Sequence, residues 1–298
     1  MKPDPRLMSE LCSLIARNVG VNETRRPLEN IILRCEDGPS PPSSYIVEPH
    51  FAVIAQGAKR SVLADQVFEY AGGNFLIFSV DLPMSSYITR ASAAEPFLGF
   101  GMTLRPDAIA ALLLESGAPL KAAPDTAGFA VGDLTDDLLE PVVRMLRLLD
   151  RPQDVEVLKP MIEREILWRL IHSDLGTVVR QLGLVESRIT RVGRAIVWLR
   201  NHYAEPVRVE DLADMVEMSV TSFHRHFLGV TAMSPLQYQK QVRLQEARSR
   251  LLSSSGDVGA IGLSVGYDSA SQFSREYRRL FGAPPTRDME QFRRARPD

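Results

Sequence analysis

The sequence of 298 residues is poor in cysteine and lacks long apolar runs. Its two cysteines, Cys12 and Cys35, cannot build a disulfide framework or a zinc site by themselves, so we expect both to be free thiols. No stretch is apolar for long enough to cross a membrane, and the N-terminal MKPDPRLMSELCS lacks the apolar segment of a signal peptide. These absences argue against a membrane or secreted protein, and we predict a cytoplasmic location.

Histidine is also scarce, because residues 1–171 contain only His50. A metal-dependent enzyme built on a β-barrel needs roughly two or three histidines and a carboxylate on adjacent strands. The sequence shows neither that cluster nor a Ser/His/Asp or paired-carboxylate motif. We therefore predict no catalytic residues, no metal and no cofactor. A barrel enzyme with an appended binding module is the competing class.

Charge is distributed unevenly along the chain, whose formal net charge is −2. From Arg191 to the C-terminus there are 16 Lys and Arg against 12 Asp and Glu, which leaves 19 basic and 25 acidic residues in the rest. A basic C-terminal third on an acidic body fits a phosphate-binding module joined to another domain. Differences of this size are common in proteins, so the charge pattern is supporting evidence only.

Short apolar runs separated by turn residues dominate the N-terminal part, after one helix. That helix is predicted at residues 6–19, where one apolar stripe comprises Leu7, Leu11, Leu14 and Ile15. Eight β-rich runs follow within residues 28–104: NIILRCE, SSYIVE, HFAVIAQG, RSVLAD, QVFEYA, NFLIFSV, SSYITRA and FLGFGMTL. Strands at this spacing predict a barrel or sandwich of the jelly-roll type.

The helical period returns after Pro106. DAIAALLLES predicts a short helix, PLKAAPDTAGFAVGDLTDD has the composition of a connecting loop, and PMIEREILWRLI predicts a helix that begins at Pro160. We interpret residues 137–186 as a helical connector that also serves as the surface of a homodimer. Seven helices are predicted after it, so the α+β chain divides into a β-barrel domain (1–136), the connector (137–186) and an all-α domain (187–298).

Two nine-residue segments near the C-terminus have nearly the same sequence. SVTSFHRHF begins at Ser219 and SASQFSREY begins at Ser269, an offset of fifty residues. The matched positions are Ser219 with Ser269, Phe223 with Phe273, Arg225 with Arg275, and Phe227 with Tyr277. Each segment follows a shorter helical segment and a tight turn, and the offset before the turn is 49. The second copy therefore has one extra residue in its turn.

A short helix, a tight turn and a longer helix make a helix-turn-helix unit, whose second helix enters the major groove of DNA. The aromatic residues recur at i and i+4 and are predicted to face the core. The opposite, polar face is predicted to read bases through Thr221, His224, Arg225, Ser271, Gln272 and Arg275. An arginine that bonds guanine at two atoms adds ~1–3 kcal/mol of base discrimination. Either arginine alone fits an ordinary surface residue, but their matched positions argue against that interpretation.

The helix between the two units, at about residues 236–252, is ~25 Å long. Such a spacer holds two recognition helices about one turn of DNA, ~34 Å, apart, so one chain would read two successive major-groove segments. Its Lys240 and Arg243 are predicted to lie near phosphates. There they would contribute salt-dependent affinity more than sequence preference.

The C-terminal region, about 190–293, resembles the AraC-type transcription regulators. The similarity is carried in the first unit by LAD…MS…FHRHF, and in the second by Gly266-Tyr267, Ser269, Phe273, Ser274-Arg275, Tyr277, Phe281-Gly282 and Pro285. It implies double-stranded DNA as a partner, read by the exposed face of each recognition helix, and RNA polymerase as a further partner. Gly262 departs from the usual alanine and Gly259 adds a second glycine, which predicts a less rigid or more closely packed short helix.

The N-terminal part resembles the cupin-like regulatory domain of one AraC-type branch, through IVEPHFAVIAQGAK with Gln56-Gly57 and Lys59. The resemblance implies a small-molecule effector. We predict an effector pocket inside the barrel that is lined by His50, Phe51, Phe78 and Tyr87. The competing interpretations are a filled apolar core, a structural His50, and a barrel that binds nothing and serves only for association. For Cys35 the alternatives are a sensor of electrophiles or oxidants and a buried, inert thiol, and the inert thiol is favoured.

Overall fold

The computed structural model of the chain describes residues 3–116, 127–184, 187–253 and 257–295. The N-terminal part (residues 3–184) contains two β-sheets and five helices, and the C-terminal part (residues 187–295) contains helices throughout. This confirms the predicted α+β class with a β-barrel-like N-terminal part and an all-α C-terminal part. Within the described ranges, no helix combines the length and the apolar character needed to span a membrane.

The strands are β1 (Glu23–Leu28), β2 (Ile31–Glu36), β3 (Ser43–Val47), β4 (His50–Gln56), β5 (Ala58–Leu63), β6 (Gln66–Ala71), β7 (Asn74–Phe78), β8 (Leu82–Arg90), β9 (Phe97–Thr103) and β10 (Phe129–Asp133). They form a six-stranded sheet in the order β1-β2-β9-β4-β7-β10 and a four-stranded sheet in the order β3-β8-β5-β6. The strand pairs are antiparallel.

The predicted strands correspond to β2 through β9, but β1 and β10 are additional. β1 has the sequence ETRRPL and is exposed along most of its length at the sheet edge, so it shows no apolar alternation. β10 lies in the segment expected to be a connecting loop, and it pairs with β7 from Phe129 opposite Phe78. The loop prediction is therefore wrong for residues 129–133, while residues 117–126 lie outside the described part of the chain.

The helices are α1 (Pro5–Asn18), α2 (Pro106–Ser116), α3 (Asp136–Arg147), α4 (Val155–Ile171), α5 (Gly176–Leu182), α6 (Arg188–Asn201), α7 (Val209–Met215), α8 (Val220–Thr231), α9 (Pro235–Ser253), α10 (Val258–Ser264), α11 (Ala270–Phe281) and α12 (Pro285–Ala295). α1 and the seven helices α6 through α12 agree with the sequence prediction to within a few terminal residues.

α4 begins at Val155, so the predicted start at Pro160 is wrong. Two short 3-10 turns, Leu148–Asp150 and Pro152–Asp154, lead directly into the helix. Pro160 removes one backbone hydrogen bond from the second turn of α4. The buried apolar residues further along the helix offset that loss, and they are Ile162, Ile166, Leu167, Leu170 and Ile171.

The six-stranded sheet has helices on one face and the four-stranded sheet on the other. α1 contacts β2, β4 and β9 and packs against α3, with Leu11, Leu14 and Ile15 buried. α3 in turn packs against α4. The helices interpreted as a connector therefore include α3, which belongs to the core of the N-terminal part.

Two apolar cores organise the C-terminal part. Buried residues of α6 through α8 and of the first half of α9, among them Phe223, Phe227 and Tyr238, are continuous with the core of the N-terminal part. The second half of α9 packs with α10 and α11 in a separate core around Phe273 and Tyr277. The first helix-turn-helix unit is thus built into the N-terminal part, whereas the second has a core of its own.

Candidate nucleic-acid interface and ligand cavity

The turns of the two helix-turn-helix units have the same backbone design. Each passes through one left-handed residue, Glu217 with φ 55° and Gly266 with φ 94°. In each turn the next N–H, that of Met218 or Tyr267, donates to a carbonyl of the preceding short helix, at 2.9 Å and 3.2 Å. These shared features lie 49 positions apart, so the extra residue of the second turn is Asp268.

Each recognition helix begins at a serine cap. The Ser219 hydroxyl oxygen accepts a hydrogen bond from the Ser222 N–H at 3.3 Å, and the Ser269 oxygen accepts one from the Gln272 N–H at 3.2 Å. Such caps satisfy backbone donors that have no partner within the helix. The starts of α8 and α11 are therefore fixed by the same local chemistry.

Two glycines beside α11 are required by close approaches. A Cβ on Gly262 would lie 2.7 Å from Cδ1 of Phe273, so the glycine allows α10 to pack closely against α11. A Cβ on Gly266 would lie 2.4 Å from the Ala204 carbonyl oxygen, and its φ is left-handed as well. Of the two explanations considered for Gly262, close packing is the one observed.

Paired aromatic residues form the buried face of both recognition helices. Phe223 and Phe227 have ring centroids 5.4 Å apart, and the rings of Phe273 and Tyr277 are 5.5 Å apart. All four side chains are completely buried. The Tyr277 hydroxyl donates to the Asp288 carboxylate at 2.7 Å, which ties α11 to α12. These residues hold the recognition helices in place and do not face solvent.

The predicted base-reading residues lie on the opposite side of α8 and α11. The exposed ones are Thr221, His224, Arg225, Ser271 and Arg275. Gln272 is half-buried, with its Nε2 3.5 Å from a Glu276 carboxylate oxygen. Arg278 and Arg279, in the last turn of α11, are exposed too and were not predicted, although the run REYRR carries the signal. Contact of this face with bases remains a prediction.

Lys240 and Arg243 occupy different environments on α9. The Lys240 ammonium is half exposed and lies 3.1 Å from Glu276. The Arg243 guanidinium donates to the backbone carbonyls of Tyr203 at 2.6 Å, Gly266 at 2.7 Å and Glu205 at 3.0 Å. Burial lowers the pKa of Arg243. The phosphate role predicted for Arg243 is corrected to a structural one, because its donors are already used inside the protein.

A cavity of about 200 Å³ lies between the two sheets of the N-terminal part. Its wall is mostly apolar, and the strands contribute alternate residues to it, such as His50, Ala52 and Ile54 from β4. Gly99 and Gly101 of β9 also line it, and a Cβ on Gly101 would come to 3.9 Å from the His50 ring. These glycines keep space open that larger side chains would fill.

Polar groups gather on one side of this cavity. The Lys59 ammonium donates to the Tyr45 hydroxyl at 3.0 Å, and the Arg34 side chain also lines the wall. Burial raises the pKa of Tyr45, but the charge and hydrogen bond of Lys59, together with Ser86, outweigh it and lower that pKa overall. Among the residues that the structure describes, no carboxylate lies within ion-pair distance of Lys59. The cavity thus contains a cation without an internal anion.

Of the four predicted effector residues, the structure places His50 and Phe78 in the cavity wall. Phe51 points to the other face of the sheet, where it packs against Phe75 and Phe100, so its predicted contribution is wrong. Tyr87 is also misassigned, because strand alternation turns it outward, where its hydroxyl accepts a hydrogen bond from Arg60 at 2.9 Å.

The His50 ring is held in one orientation. Its Nδ1 lies 2.7 Å from the Glu48 carbonyl oxygen, and the ring stacks on Phe78 with centroids 4.5 Å apart. Burial lowers the pKa of His50 to about 4, so the imidazole is neutral near pH 7. With Nδ1–H donating to Glu48, the other nitrogen is an acceptor. The structural role weighed for this histidine is therefore observed, and the ring lines the cavity as well.

Lys59, Tyr45 and Arg34 were missed as cavity residues. The signal available was strand alternation, because Lys59 stands on β5 two positions from the buried Ser61, on the same face of the strand. Within the described ranges, no group of three or more His, Cys, Asp or Glu side chains is arranged to hold a metal ion. Cys35 is buried, and burial raises the pKa of its thiol, which disfavours the reactive thiolate.

Residues 27–178, about half of the chain, match the family model described as the AraC-type transcriptional regulator N-terminus. The chain belongs to the AraC-type transcriptional regulators. A helix-turn-helix domain model also matches residues 212–291, the region that contains both units. The predicted family, with an N-terminal regulatory domain and a C-terminal helix-turn-helix domain, is thereby confirmed, and the family is one of transcriptional regulators rather than enzymes.

Curated relatives of this AraC-type chain match it in part. The HTH-type transcriptional activator RhaS of Escherichia fergusonii is 31% identical over 160 residues, which are 53% of this chain and 56% of RhaS. RhaS of Escherichia coli O1:K1 is 28% identical over 159 residues, 52% of this chain and 55% of the relative. The chain therefore spans about half the length of the curated relatives it matches.

Solved structures share the fold at low sequence identity. Wild-type ToxT from Vibrio cholerae with a bound unsaturated fatty acid has a TM-score of 0.54 and 8% identity, and the match covers 89% of this chain and 96% of ToxT. ToxT bound to (E)-4-(8-methylnaphthalen-1-yl)but-3-enoic acid has a TM-score of 0.52 and 8% identity, covering 83% and 94%. At this identity, the likeness shows a common two-part architecture.

Proposed function

We propose that the chain is a transcription regulator that reads double-stranded DNA with the exposed faces of α8 and α11. The observation that carries this proposal is the matched pair of units, with equivalent left-handed turns, serine caps and buried aromatic pairs. The reading residues are Thr221, His224, Arg225, Ser271, Gln272 and Arg275, with Lys240 near a phosphate. In this proposal residues 1–136 bind the effector, residues 137–186 form the surface of a homodimer, and residues 187–298 bind DNA. The protein acts in the cytoplasm.

In vitro selection from random duplexes tests the DNA-binding proposal. Two recognition helices on one chain should enrich a motif with two conserved segments about 10 base pairs apart, because that spacing places both on one side of the duplex. The Arg105→Ala variant, which loses an exposed arginine of the N-terminal part, should select the same motif as the unaltered chain. It loses the same charge as a variant that lacks Arg225 or Arg275 and is the control for such variants. Failure of the unaltered chain to enrich any motif would contradict the proposal.

The cavity between the sheets is proposed to bind a small carboxylic acid with an apolar body. Lys59 supplies positive charge on one side, whereas the nearby Arg34 is already paired with Glu36 at 2.8 Å, and the remaining wall is mostly apolar. A ligand carboxylate would supply the anion that Lys59 does not find inside the protein. Both ToxT structures above contain a carboxylic acid, which fits the same chemistry in a protein of similar fold.

Thermal shift with octanoate as the probe tests this effector class. A ligand of the native state adds RT ln(1+[L]/Kd), or about 2.7 kcal/mol at 100 times Kd. Octanoate should raise the melting temperature of the unaltered chain more than the neutral 1-octanol does. Lys59→Met should remove that difference, and Gly101→Leu should remove both shifts by filling the cavity. Equal shifts with both compounds, unchanged by Lys59→Met, would rule out carboxylate recognition at Lys59.

A homodimer formed through α4 is proposed from its exposed apolar residues. Val157 is 66% exposed and Met161 is 63% exposed, and Trp168 lies on the same side of the helix. A stripe of this kind on an otherwise packed helix is typical of an interface. Sedimentation velocity should show a dimer that Met161→Glu dissociates, whereas a monomer at all concentrations would contradict the proposal.

RNA polymerase is proposed as a further partner, because the curated relatives are described as transcriptional activators. Transcription in vitro from a promoter that carries the selected motif tests this partner. Purified polymerase should produce more transcript with the chain than without it. An unchanged yield, with the motif occupied, would contradict a role in activation.

A further inference from the structure

Gly128 contacts both the sheets of the N-terminal part and the first recognition helix. Its N–H donates to the Val230 carbonyl oxygen at 2.8 Å, and its own carbonyl accepts from the Ser79 N–H at 2.8 Å. Val230 lies in the last turn of α8, and Ser79 directly follows β7. One residue therefore joins the end of a sheet strand to the end of a recognition helix.

The contact at Gly128 is too tight for any side chain. A Cβ there would lie 2.6 Å from the Val230 carbonyl oxygen and 3.0 Å from Cγ2 of Val80. The backbone of Gly128 is not left-handed, so alanine can adopt its conformation. An alanine at this position would therefore act by pushing α8 away from the sheet, and it would not strain the local chain.

A row of aromatic rings connects this contact to the cavity. Phe129 follows Gly128 in the chain, and its ring centroid is 4.5 Å from that of Phe78. Phe78 stacks in turn on His50, also at 4.5 Å, and both of these residues line the cavity. Phe129 is almost completely buried and is held from another side by Phe68 at 4.7 Å. Packed rings without free space between them pass a displacement from one to the next.

We propose that occupation of the cavity is transmitted to α8 through Phe78, Phe129 and Gly128, so that the effector sets how firmly the N-terminal part holds the first recognition helix. This inference rests on the effector site proposed above. The cavity of about 200 Å³ is smaller than the ~300–1,000 Å³ of ordinary ligand pockets. An effector of ordinary size that enters the cavity completely would therefore displace the wall, and the His50–Phe78 side of the wall leads to α8.

A double-mutant cycle on the ligand-free full chain tests the coupling. The variants are Phe78→Leu at the cavity, Gly128→Ala at the junction, and the two combined. The measurement is amide hydrogen exchange, followed by mass spectrometry in peptides that cover the end of α8. Gly38→Ala is the matched control, because a Cβ at Gly38 would meet no atom within 4 Å.

Each single variant should raise the exchange rate at the end of α8 by about threefold or more, while Gly38→Ala leaves it unchanged. The double variant should exchange no faster than the faster single variant, because both changes act through one route. An unchanged exchange rate at the end of α8 in Phe78→Leu would overturn the proposal. So would a double variant whose increase in exchange rate equals the product of the two single increases. Phe129→Leu replaces Gly128→Ala in the cycle if the alanine variant fails to fold.

The double-mutant cycle and the octanoate experiment test different claims, and each outcome is interpreted independently of the other. If octanoate does not bind but the cycle shows coupling, the effector class is wrong and the route to α8 stands. If octanoate binds and the cycle shows no coupling, the effector site stands and the route is wrong. When both hold, octanoate should change exchange at the end of α8 in the unaltered chain, and this response should be absent in Gly128→Ala.

Discussion

Arg225 and Arg243 show how arginines of one domain differ in their surroundings. Arg225 projects from the exposed face of α8, where its Nη2 lies 3.4 Å from Nε2 of His226 and no backbone carbonyl among the described residues accepts a hydrogen bond from its guanidinium. Arg243 has its guanidinium bonded to carbonyls of the segment after α6 and of the second turn. In the sequence, both residues are arginines within predicted helices. Only their three-dimensional contacts distinguish a base-reading role from a structural one.

Arg243→Met should destabilise the C-terminal part while leaving the salt dependence of DNA binding unchanged. Hydrogen bonds to a charged group contribute ~1.5–3 kcal/mol each, and several carbonyls would lose their donor together. We expect the free energy of unfolding, measured by urea titration, to fall by about 3 kcal/mol. Lys240→Met is the control, because its side chain is half exposed and should affect stability little. A stable Arg243→Met protein with a reduced salt slope would restore the phosphate role.

His50 should make the stability of the chain depend on pH between about 4 and 6.5. Its folded pKa of about 4 lies below the ordinary value, so the unfolded state binds the proton more tightly in this interval. Stability should therefore decrease as the pH falls from 6.5 to 4, by at most about 3 kcal/mol for this group. Urea titrations at several pH values should show a smaller decrease for His50→Gln. Equal slopes in the two proteins would contradict the assigned pKa shift.

At the scale of elements, the sequence predicts those whose apolar periodicity reflects their burial. β2 to β9 and α6 to α12 have this property, and they were located correctly. β1 is an exposed edge strand and β10 contains Gly132, so neither shows the expected alternation. Contacts between distant segments, such as Gly128 with Val230 or Lys59 with Tyr45, depend on the assembled sheets. No local pattern in the sequence specifies them.

Gly262→Ala tests the packing of α10 against α11. Helix propensity alone predicts that alanine stabilises this helix by about 1 kcal/mol. A Cβ at 2.7 Å from the Phe273 ring reverses the sign, and we expect a net loss of roughly 1–3 kcal/mol in the free energy of unfolding. Gly193→Ala in α6 is the control, because its Cβ meets only Val80, at 3.6 Å, and should stabilise. A higher melting temperature for Gly262→Ala would contradict the close packing.

At the scale of the whole molecule, the first helix-turn-helix unit and the helices that flank it, α6 and α9, are bonded to the sheet-containing N-terminal part. Besides Gly128, the Tyr238 hydroxyl donates to the Asp81 carbonyl oxygen at 2.9 Å, and Arg200 pairs with the buried Asp81 carboxylate at 2.7 Å. The second unit is attached through α9 and the carbonyls bonded by Arg243. A change in the cavity is therefore expected to reach α8 before it reaches α11.

Hydroxyl-radical footprinting on a duplex that carries the selected motif tests the central claim, that one chain reads DNA with two helices. The unaltered chain should protect two segments about 10 base pairs apart on the same side of the duplex. Arg225→Ala should weaken protection of one segment and Arg275→Ala that of the other, each with a loss of ~1–3 kcal/mol in binding. A single protected segment, or two segments unaffected by both substitutions, would contradict the account.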